Sequence, residues 1–563
     1  MINESKNTSL AQQSAFSIVM QNMHKIGISI FVLAVLWILP LYHRGLFNQI
    51  TEMKFIFYRN VSFIIFGFLL IATLVYASGM FASRKKLGQN LGLFNRFDRF
   101  SVTDWFVLSY LGAALISYWI QDWPQNVALW GLPTKRMGLM TQISLVLAYF
   151  YVSRYFCIVS NKTVKIWREY KPHAVILCVG MLLTAFVVML LGLFHRFWFD
   201  PLGLYEGFHP GWVFNALSTI GNPNRYSGFV ALMLPFGLFI YWHTKVHIIR
   251  ILAVAYIAVG FATAVTQNSE SIFVALFAVL MVLFWFSFAS NTKMKRFLEI
   301  IIIMLASFVL VGVFQHFITG EGELLLQMKA LSLFLSRSVW TRVLLVFFVV
   351  LYAIFLRLDK KSSIDVSALN NFRLGSFIAV FAGLFLLIIY IIFNSTLILP
   401  ASLRRGGLFL FTDDWGNHRG FNWRIAIATF MELPLMQKFF GAGPEGFWQA
   451  STAYFAAEVH ARYDGRVLVV DAHNEWITAF VNGGILGGIA YIGIFFTAFK
   501  RYAARIADYP FLLSVCATIA GYMAHNFFTY QTINCTPALF IFIGVAEALL
   551  REGEKLQRIY LPK

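Results

Sequence analysis

Long runs of hydrophobic residues alternate with shorter polar segments along almost the whole chain. A helix that crosses the hydrocarbon core of a bilayer, about 30 Å thick, needs about 20 mainly apolar residues, and about fourteen runs approach that length. They lie near residues 26–43, 55–82, 104–120, 138–157, 173–194, 226–243, 248–266, 270–290, 297–318, 340–357, 374–396, 474–499, 509–527 and 535–551. The pattern predicts an all-α, polytopic membrane protein with about 12–14 transmembrane helices.

The spacing of these runs predicts three regions. Residues 1–396 are expected to form an N-terminal transmembrane bundle of about 11 helices. Residues 397–473 form by far the longest polar segment. Residues 474–563 are expected to form the C-terminal transmembrane helices and a short tail.

Two stretches of the long polar segment carry apolar residues at helical spacing, residues 422–440 and 448–462. Pro434 is expected to break or kink the first of them. Both are predicted to be amphipathic helices, which either lie on the membrane surface or form a lid over the bundle.

The composition supports the membrane interpretation. The 563 residues are 59% hydrophobic and 13% charged, whereas soluble domains carry about 25% charged residues. The net charge is +19, but the Lys and Arg clusters occupy alternate short loops, which argues for membrane orientation and against nucleic-acid binding. This bias predicts a multi-pass protein of the cytoplasmic (inner) membrane, with both termini cytoplasmic and residues 397–473 on the outer, periplasmic face.

Other sequence features are expected to be absent. The four cysteines show no CxxC pairing, so neither a zinc site nor a disulfide framework is predicted. The sequence shows no cleavable signal peptide and no metal site, and it predicts no cofactor.

Several cations lie in loops assigned to the outer side, where positive charge is otherwise scarce. Arginine suits bidentate binding of phosphate, but cations near a bilayer also extend toward lipid headgroups without any catalytic role. The candidates for binding a phosphate group are Lys135, Arg136, Arg225, Arg404, Arg405, Arg419 and Arg424.

Polar residues at the starts of two hydrophobic runs are the other candidates. Asn222 and Asn224 precede one run, and His473 and Asn474 precede another. An imidazole near cations has a lowered pKa and can act as a base at neutral pH. The alternative for all four is helix capping.

Four motifs in this order resemble the O-antigen ligase and Wzy-type polymerase superfamily of membrane glycosyltransferases. They are G-N-P-N at residues 221–224, R-x-x-x-W from Arg419 to Trp423, G-A-G-P-E-G-F at residues 441–447, and H-N followed by G-G-I-L-G at residues 473–487. The resemblance spans residues 130 to 550 and implies a GT-C-like transmembrane fold.

The resemblance also implies an activity and partners. The expected donor is a glycan on undecaprenyl pyrophosphate, in a lipid bilayer, and the reaction is inverting and metal-independent. The expected acceptor is lipid A-core, another lipid-linked glycan or a protein hydroxyl, within polysaccharide and lipopolysaccharide biosynthesis of the cell envelope. Residues 397–473 would form a large catalytic loop on the periplasmic or extracellular side. Arg419 and His473 would be catalytic, and Asp471 or Asn474 would orient His473. Trp423, Asn474, Asn222, Asn224 and the other cations named above would bind the pyrophosphate or the glycan.

Two positions depart from the family pattern. The family usually has Glu nine residues after the His, where this chain has Asn482. The expected Ser-Arg pair is absent from residues 266–271 and occurs only at residues 336–337, in another loop. Ligase, polymerase and protein O-oligosaccharyltransferase therefore stay open, and the alternatives from other classes are a lipid-linked sugar transporter or flippase and a non-enzymatic scaffold.

Overall fold

The computed structural model describes residues 2–82, 100–156, 171–207, 217–319, 328–361, 364–465 and 468–560. Regular structure in these ranges is helical, and they contain no β-strand. Cys157 and Trp212 lie outside the described residues, as do the basic residues 84–99 and most of the basic segment 154–171.

Each of the fourteen hydrophobic runs lies on a helix. The helices are α1 (Ile2–Leu33, continued by a π-helical turn, Ala34–Ile38, and by Leu39–Leu41), α2 (Ile50–Ala82), α3 (Val102–Ile120), α5 (Leu139–Tyr155), α6 (Pro172–Arg196), α7 (Pro223–His243), α8 (His247–Thr266), α9 (Ser271–Ser287), α10 (Asn291–Thr319), α12 (Val339–Lys360), α13 (Asn370–Ser395), α17 (Glu475–Ala503), α18 (Leu512–His525) and α19 (Thr536–Tyr560). Short helices α4 (Gln125–Trp130) and α11 (Ala330–Arg337) lie in the connections.

Nine helices of the described ranges are long and apolar enough to cross a membrane. These spans are residues 18–41, 50–78, 172–196, 223–243, 247–266, 291–317, 339–360, 370–395 and 475–503. The prediction of an all-α, multi-pass membrane protein is confirmed, whereas the count of fourteen spans is not. Helices α9 and α18 are apolar but shorter than a full span.

The helices of the C-terminal region pack among those of the N-terminal region. Helix α17 packs along α3, α19 packs along α5, and α18 lies between α9 and α7. Helix α7 is the most enclosed of the nine spans. The last three long helices are therefore integral to the core, and α17 is held in place against α3 over much of its length.

Ion pairs around two buried carboxylates, Asp104 and Glu547, join α3, α5, α17 and α19 at one end of the helix bundle. Asp104, near the start of α3, lies 3.0 Å from Arg154 of α5 and also binds Arg551 of α19. Arg501 of α17 lies 2.8 Å from Glu547 of α19. Because α3 has 19 residues, its other end lies nearly 30 Å away at about 1.5 Å per residue. That other end, where residues 397–473 also lie, is called the loop face below.

Residues 397–473 contain three further helices, α14 (Trp415–Glu432), α15 (Leu435–Phe440) and α16 (Phe447–Tyr463). The two predicted helical stretches are confirmed, and the break falls at Pro434, which precedes α15. Proline lacks a backbone N–H and has a fixed φ, so it fits a helix start, where that N–H would have no partner within the helix.

Candidate functional site

A sharp turn in α14 presents Arg419. Gly416, Asn417 and His418 have φ values of 61°, 62° and 67°, a left-handed conformation that single residues adopt and helices do not. Arg419 follows the turn, and its guanidinium donates to the carbonyl of Phe528 at 2.9 and 3.0 Å and to that of Gly416 at 2.6 Å. Among the described residues no carboxylate forms an ion pair with Arg419, so its charge is available to an anion.

His473 lies at the junction between the long segment and α17. Its backbone is left-handed, with φ 47°, and its N–H donates to Asp471 Oδ1 at 2.6 Å. The imidazole packs against Tyr530, with ring centroids 5.3 Å apart, and 35% of the side chain is exposed. The ring is therefore positioned by its neighbours and still accessible to a bound molecule.

Asn474 fixes the start of α17 directly after this histidine. Its side-chain oxygen accepts from the N–H groups of Trp476 and Ile477 at 3.0 and 3.2 Å. Satisfying these otherwise unpaired donors is the usual role of an asparagine N-cap. Asn474 thus takes the capping role considered for it, and Asp471 is the residue that contacts His473.

A buried ion pair joins Asp471 to a distant part of the chain. Lys135 Nζ lies 3.2 Å from Asp471 Oδ2, and both side chains are less than 5% exposed. The same ammonium donates to the carbonyl of Val470 at 3.0 Å. Lys135 is therefore brought to the site, but its charge is already balanced by a carboxylate.

The charges around His473 set its protonation state. Burial lowers the pKa of His473; Asp471 opposes this, and the positive charges of Arg419 and Lys135 lower it further. Burial opposes ionisation of Asp471, but Lys135 and His473 keep the pKa of that carboxyl below its ordinary value. The arrangement holds a neutral imidazole beside an ionised carboxylate, as a general base requires.

The G-A-G-P-E-G-F segment packs backbone to backbone on a break in α17. Ala442 N–H donates to the carbonyl of Val481 at 2.8 Å. Gly484 has φ 66°, and a Cβ there would lie 2.3 Å from the carbonyl carbon of Phe439. Only glycine allows this approach, and Gly441 on the facing segment meets the same limit, because its φ is 93° and an added Cβ would clash with the carbonyl of Asn482.

The same segment carries Glu445, which lines one cavity together with Lys135. Glu445 is buried and accepts from the backbone N–H groups of Leu132 and Met137, the latter at 2.8 Å. Burial raises the pKa of Glu445, although Lys135 and the two N–H donors oppose this. The carboxyl thereby joins residues 441–447 to the loop that carries Lys135.

Asn482, where the related sequences usually have Glu, has a local role. Its side-chain oxygen accepts from the N–H of Phe447 at 2.9 Å, at the start of α16. Its carbonyl accepts from Ser117 Oγ of α3 at 3.0 Å. The side chain also lines a cavity between α3 and α17.

Arg225 and Asn224 are the candidates in the first turn of α7. Both line a small cavity that also contacts His525 and Tyr530. The guanidinium of Arg225 donates to the hydroxyl of Thr51 and to the carbonyl of Thr134, and within the described ranges it forms no ion pair. Asn224 accepts from Ser269 Oγ at 2.7 Å.

The other candidates have separate contacts. Asn222 caps α7 by accepting from the N–H of Asn224 at 2.9 Å. Arg136 lies 2.6 Å from Glu52, and Arg424 lies 2.9 Å from both Asp413 and Glu458.

The last three candidates, Arg404, Arg405 and Trp423, lie within the 397–473 segment. Arg404 and Arg405 donate to carbonyls of residues 397–404. Trp423 packs against Phe411, Trp415 and Phe528. The structure therefore brings together Lys135, Arg225, Asn224, Arg419 and His473, and it places the other cations in pairs or loops of their own.

Sequence reasoning missed three residues of this region. Glu445 and Glu475 are acids within the recognised motifs, and an acid next to a hydrophobic run is the signal that could have revealed them. Tyr530 lines both cavities and packs on His473, but no local pattern marks it.

No protein-family model matches the sequence, and no curated protein matches it significantly. Within the described residues, no group of three or more His, Cys, Asp or Glu side chains is placed to hold a metal ion.

Proposed function

We propose that this protein is an inverting glycosyltransferase that moves a glycan from a polyprenyl pyrophosphate to an acceptor hydroxyl. The observation that carries the proposal is the position of His473. Its accessible imidazole is held beside the ionised Asp471 and lies close enough to Arg419 for that charge to lower its pKa. A base and an unpaired cation are therefore combined at one site.

In the proposed reaction, His473 takes the proton of the acceptor hydroxyl as the oxygen attacks the anomeric carbon. A new carbon–oxygen bond forms on one face, while the bond to the pyrophosphate breaks on the other, so the configuration inverts. The bonding electrons leave with the lipid pyrophosphate, where negative charge develops. Arg419 and Arg225 stabilise that charge, because preorganised cations are most effective where charge appears in the transition state.

Membrane placement supports this chemistry. Arg225 and His473 lie at the starts of the long helices α7 and α17 on the loop face. Arg419 lies in the 397–473 segment on the same face, where the headgroup of a lipid-linked substrate would lie. The order of the four motifs, which resembles the O-antigen ligase and polymerase superfamily, supports the same donor. The proposal includes a GT-C-like arrangement of about fourteen spans in the inner membrane, with the loop face outside the cytoplasm.

Purified protein in lipid nanodiscs tests the proposal. The donor is undecaprenyl-pyrophosphate-linked glycan from membranes of the native host, and the acceptor fractions are lipid A-core, lipid-linked single repeat units and membrane protein. We expect a new glycosidic product, with release of undecaprenyl pyrophosphate, from one fraction. If the protein instead moves the donor across vesicle membranes and forms no new bond, it is a flippase and the proposal is wrong.

A further inference from the structure

Two cavities at the loop face share Tyr530 as a lining residue. The first is called the acidic cavity and is lined by Tyr110, Lys135, Glu445, Glu475, Asn482, Gln531 and neighbouring residues. The second is called the arginine cavity and is lined by Asn224, Arg225, His525, Thr529, Tyr530 and neighbouring residues. His473 packs on the Tyr530 ring that both linings share.

The charges of the two cavities differ in sign. In the acidic cavity, Lys135 is the only cation of the lining, and Asp471 already pairs with it at 3.2 Å. Glu445 and Glu475 add two carboxyl groups, so whatever their protonation the net charge is zero or negative. Arg225 lines the arginine cavity, Arg419 lies close by, and neither is paired with a carboxylate in the described parts of the chain.

A pyrophosphate carries at least two negative charges, so the unpaired cations of the arginine side attract it, whereas the acidic cavity, with a net charge of zero or below, offers it no net attraction. The acidic cavity suits the opposite kind of ligand, a neutral molecule with many hydroxyl groups. Its lining offers carboxyl, amide and phenol groups, which donate to and accept from hydroxyls. The ring of Tyr110 adds an apolar surface of the kind that binding pockets present to ligands.

Glu475 is held rigidly for such a role. Its carboxyl accepts from the hydroxyl of Tyr522 at 3.0 and 3.1 Å and from Tyr491 and Asn526. The residue is 2% exposed and still lines the cavity. These four hydrogen bonds use most of the acceptor capacity of the carboxyl, so Glu475 fixes the shape and the polar character of the cavity wall.

We infer that the acidic cavity is the acceptor subsite and binds a neutral sugar through its hydroxyl groups, while the lipid pyrophosphate of the donor binds on the arginine side of Tyr530. The inference rests on the proposed function, because it assigns the two substrates of that reaction. It places His473 between them, where the acceptor hydroxyl must lose its proton.

A cysteine in the cavity tests this without turnover. Ala479 lines the acidic cavity on α17, and Ala479→Cys adds one sulfur without removing a hydrogen bond. The probe is the rate at which a methanethiosulfonate reagent labels the cysteine in nanodiscs. The parent protein gives the background of the native cysteines, and Ala457→Cys on the exposed side of α16 is the matched control.

Octyl glycosides of glucose, galactose and N-acetylglucosamine serve as sugar ligands, and undecaprenyl pyrophosphate serves as the donor-side ligand. A glycoside at about ten times its Kd should slow labelling of the Ala479→Cys variant about tenfold, whereas undecaprenyl pyrophosphate should change it less than about twofold. Neither ligand should affect labelling of the control variant. Gln531→Cys, at another lining residue of the acidic cavity, should respond in the same way as Ala479→Cys.

Protection by undecaprenyl pyrophosphate, or by none of the glycosides, overturns the inference. Failure of both cavity variants to react also overturns it, because the cavity would then be closed. If the glycosides protect the cavity selectively but the protein transfers no glycan, the proposed function is refuted and the sugar site is still supported. Failure of the proposed function can therefore be distinguished from failure of the sugar-site inference.

Discussion

Removing either member of the Lys135–Asp471 pair should destabilise the protein strongly, and removing both should cost clearly less than the sum of the two single changes. The two charged atoms are 3.2 Å apart, and both side chains are buried. At an effective dielectric constant of about 20, Coulomb's law gives an attraction of about 5 kcal/mol. Breaking a buried pair from one side costs about 3–5 kcal/mol, because the remaining charge stays buried without compensation.

Lys135→Met and Asp471→Asn are suitable changes. Methionine keeps most of the length of the lysine side chain, and asparagine keeps an oxygen to accept from the N–H of His473. Equilibrium unfolding in mixed micelles with increasing SDS gives the free energy of unfolding of the parent, both single variants and the double variant. We expect each single variant to lose about 3–5 kcal/mol and the cycle to give a coupling energy of about 3 kcal/mol.

The exposed pair of Arg424 and Asp413 is the matched control. Its atoms are 2.9 Å apart, closer than those of the buried pair, but both side chains are more than 40% exposed. Arg424→Met with Asp413→Asn should show a coupling below about 1 kcal/mol. Additive effects within about 0.5 kcal/mol for Lys135 and Asp471 would refute the reasoning.

Three further predictions concern the site. The transfer rate of the parent should stay constant as the pH falls to about 6.5 and should decrease at lower pH, because the base must be neutral and burial lowers the pKa of His473. Asp471→Asn should move the midpoint of this decrease to still lower pH, because the carboxylate raises the pKa of His473. A rate that already falls between about pH 8 and 7 would contradict this. Arg419→Lys keeps the charge but loses the two hydrogen bonds that the guanidinium donates to Phe528. Binding of undecaprenyl pyrophosphate, measured by fluorescence quenching, should therefore weaken about tenfold or more. Unchanged binding would exclude Arg419 as a pyrophosphate-binding residue. Asn474→Ala should lower the free energy of unfolding by about 1 kcal/mol, because it removes the N-cap of α17. Asn222→Ala should have a similar effect, because it removes the N-cap of α7. A change below about 0.3 kcal/mol would show that these caps do not stabilise the protein.

Local patterns in the sequence predict much of this protein. The hydrophobic runs locate the helices because apolar residues at helical spacing must face lipid or core. Pro434 ends α14 where expected, and Asn222 and Asn474 cap helices, because the missing N–H of proline and the short asparagine side chain act within a few residues.

The partners of the charged residues could not be predicted in this way. Lys135 and Asp471 lie far apart in the sequence, and nothing local to either residue indicates the other. Glu445 binds the backbone near residue 132 through two N–H groups, and Arg136 pairs with Glu52. These partners depend on how the helices pack against one another. The sequence could therefore identify a set of cations, but it could not show that Arg419 and Arg225 form no ion pair among the described residues.

The central claim is that His473 takes the proton of the acceptor hydroxyl during glycosyl transfer. The most direct measurement is the initial rate of glycosidic bond formation by purified His473→Ala in nanodiscs, beside the parent. We predict a fall of about 10²–10⁴-fold, while thermal unfolding and binding of undecaprenyl pyrophosphate stay within error of the parent. A folded His473→Ala protein that transfers glycan at the rate of the parent would contradict the account.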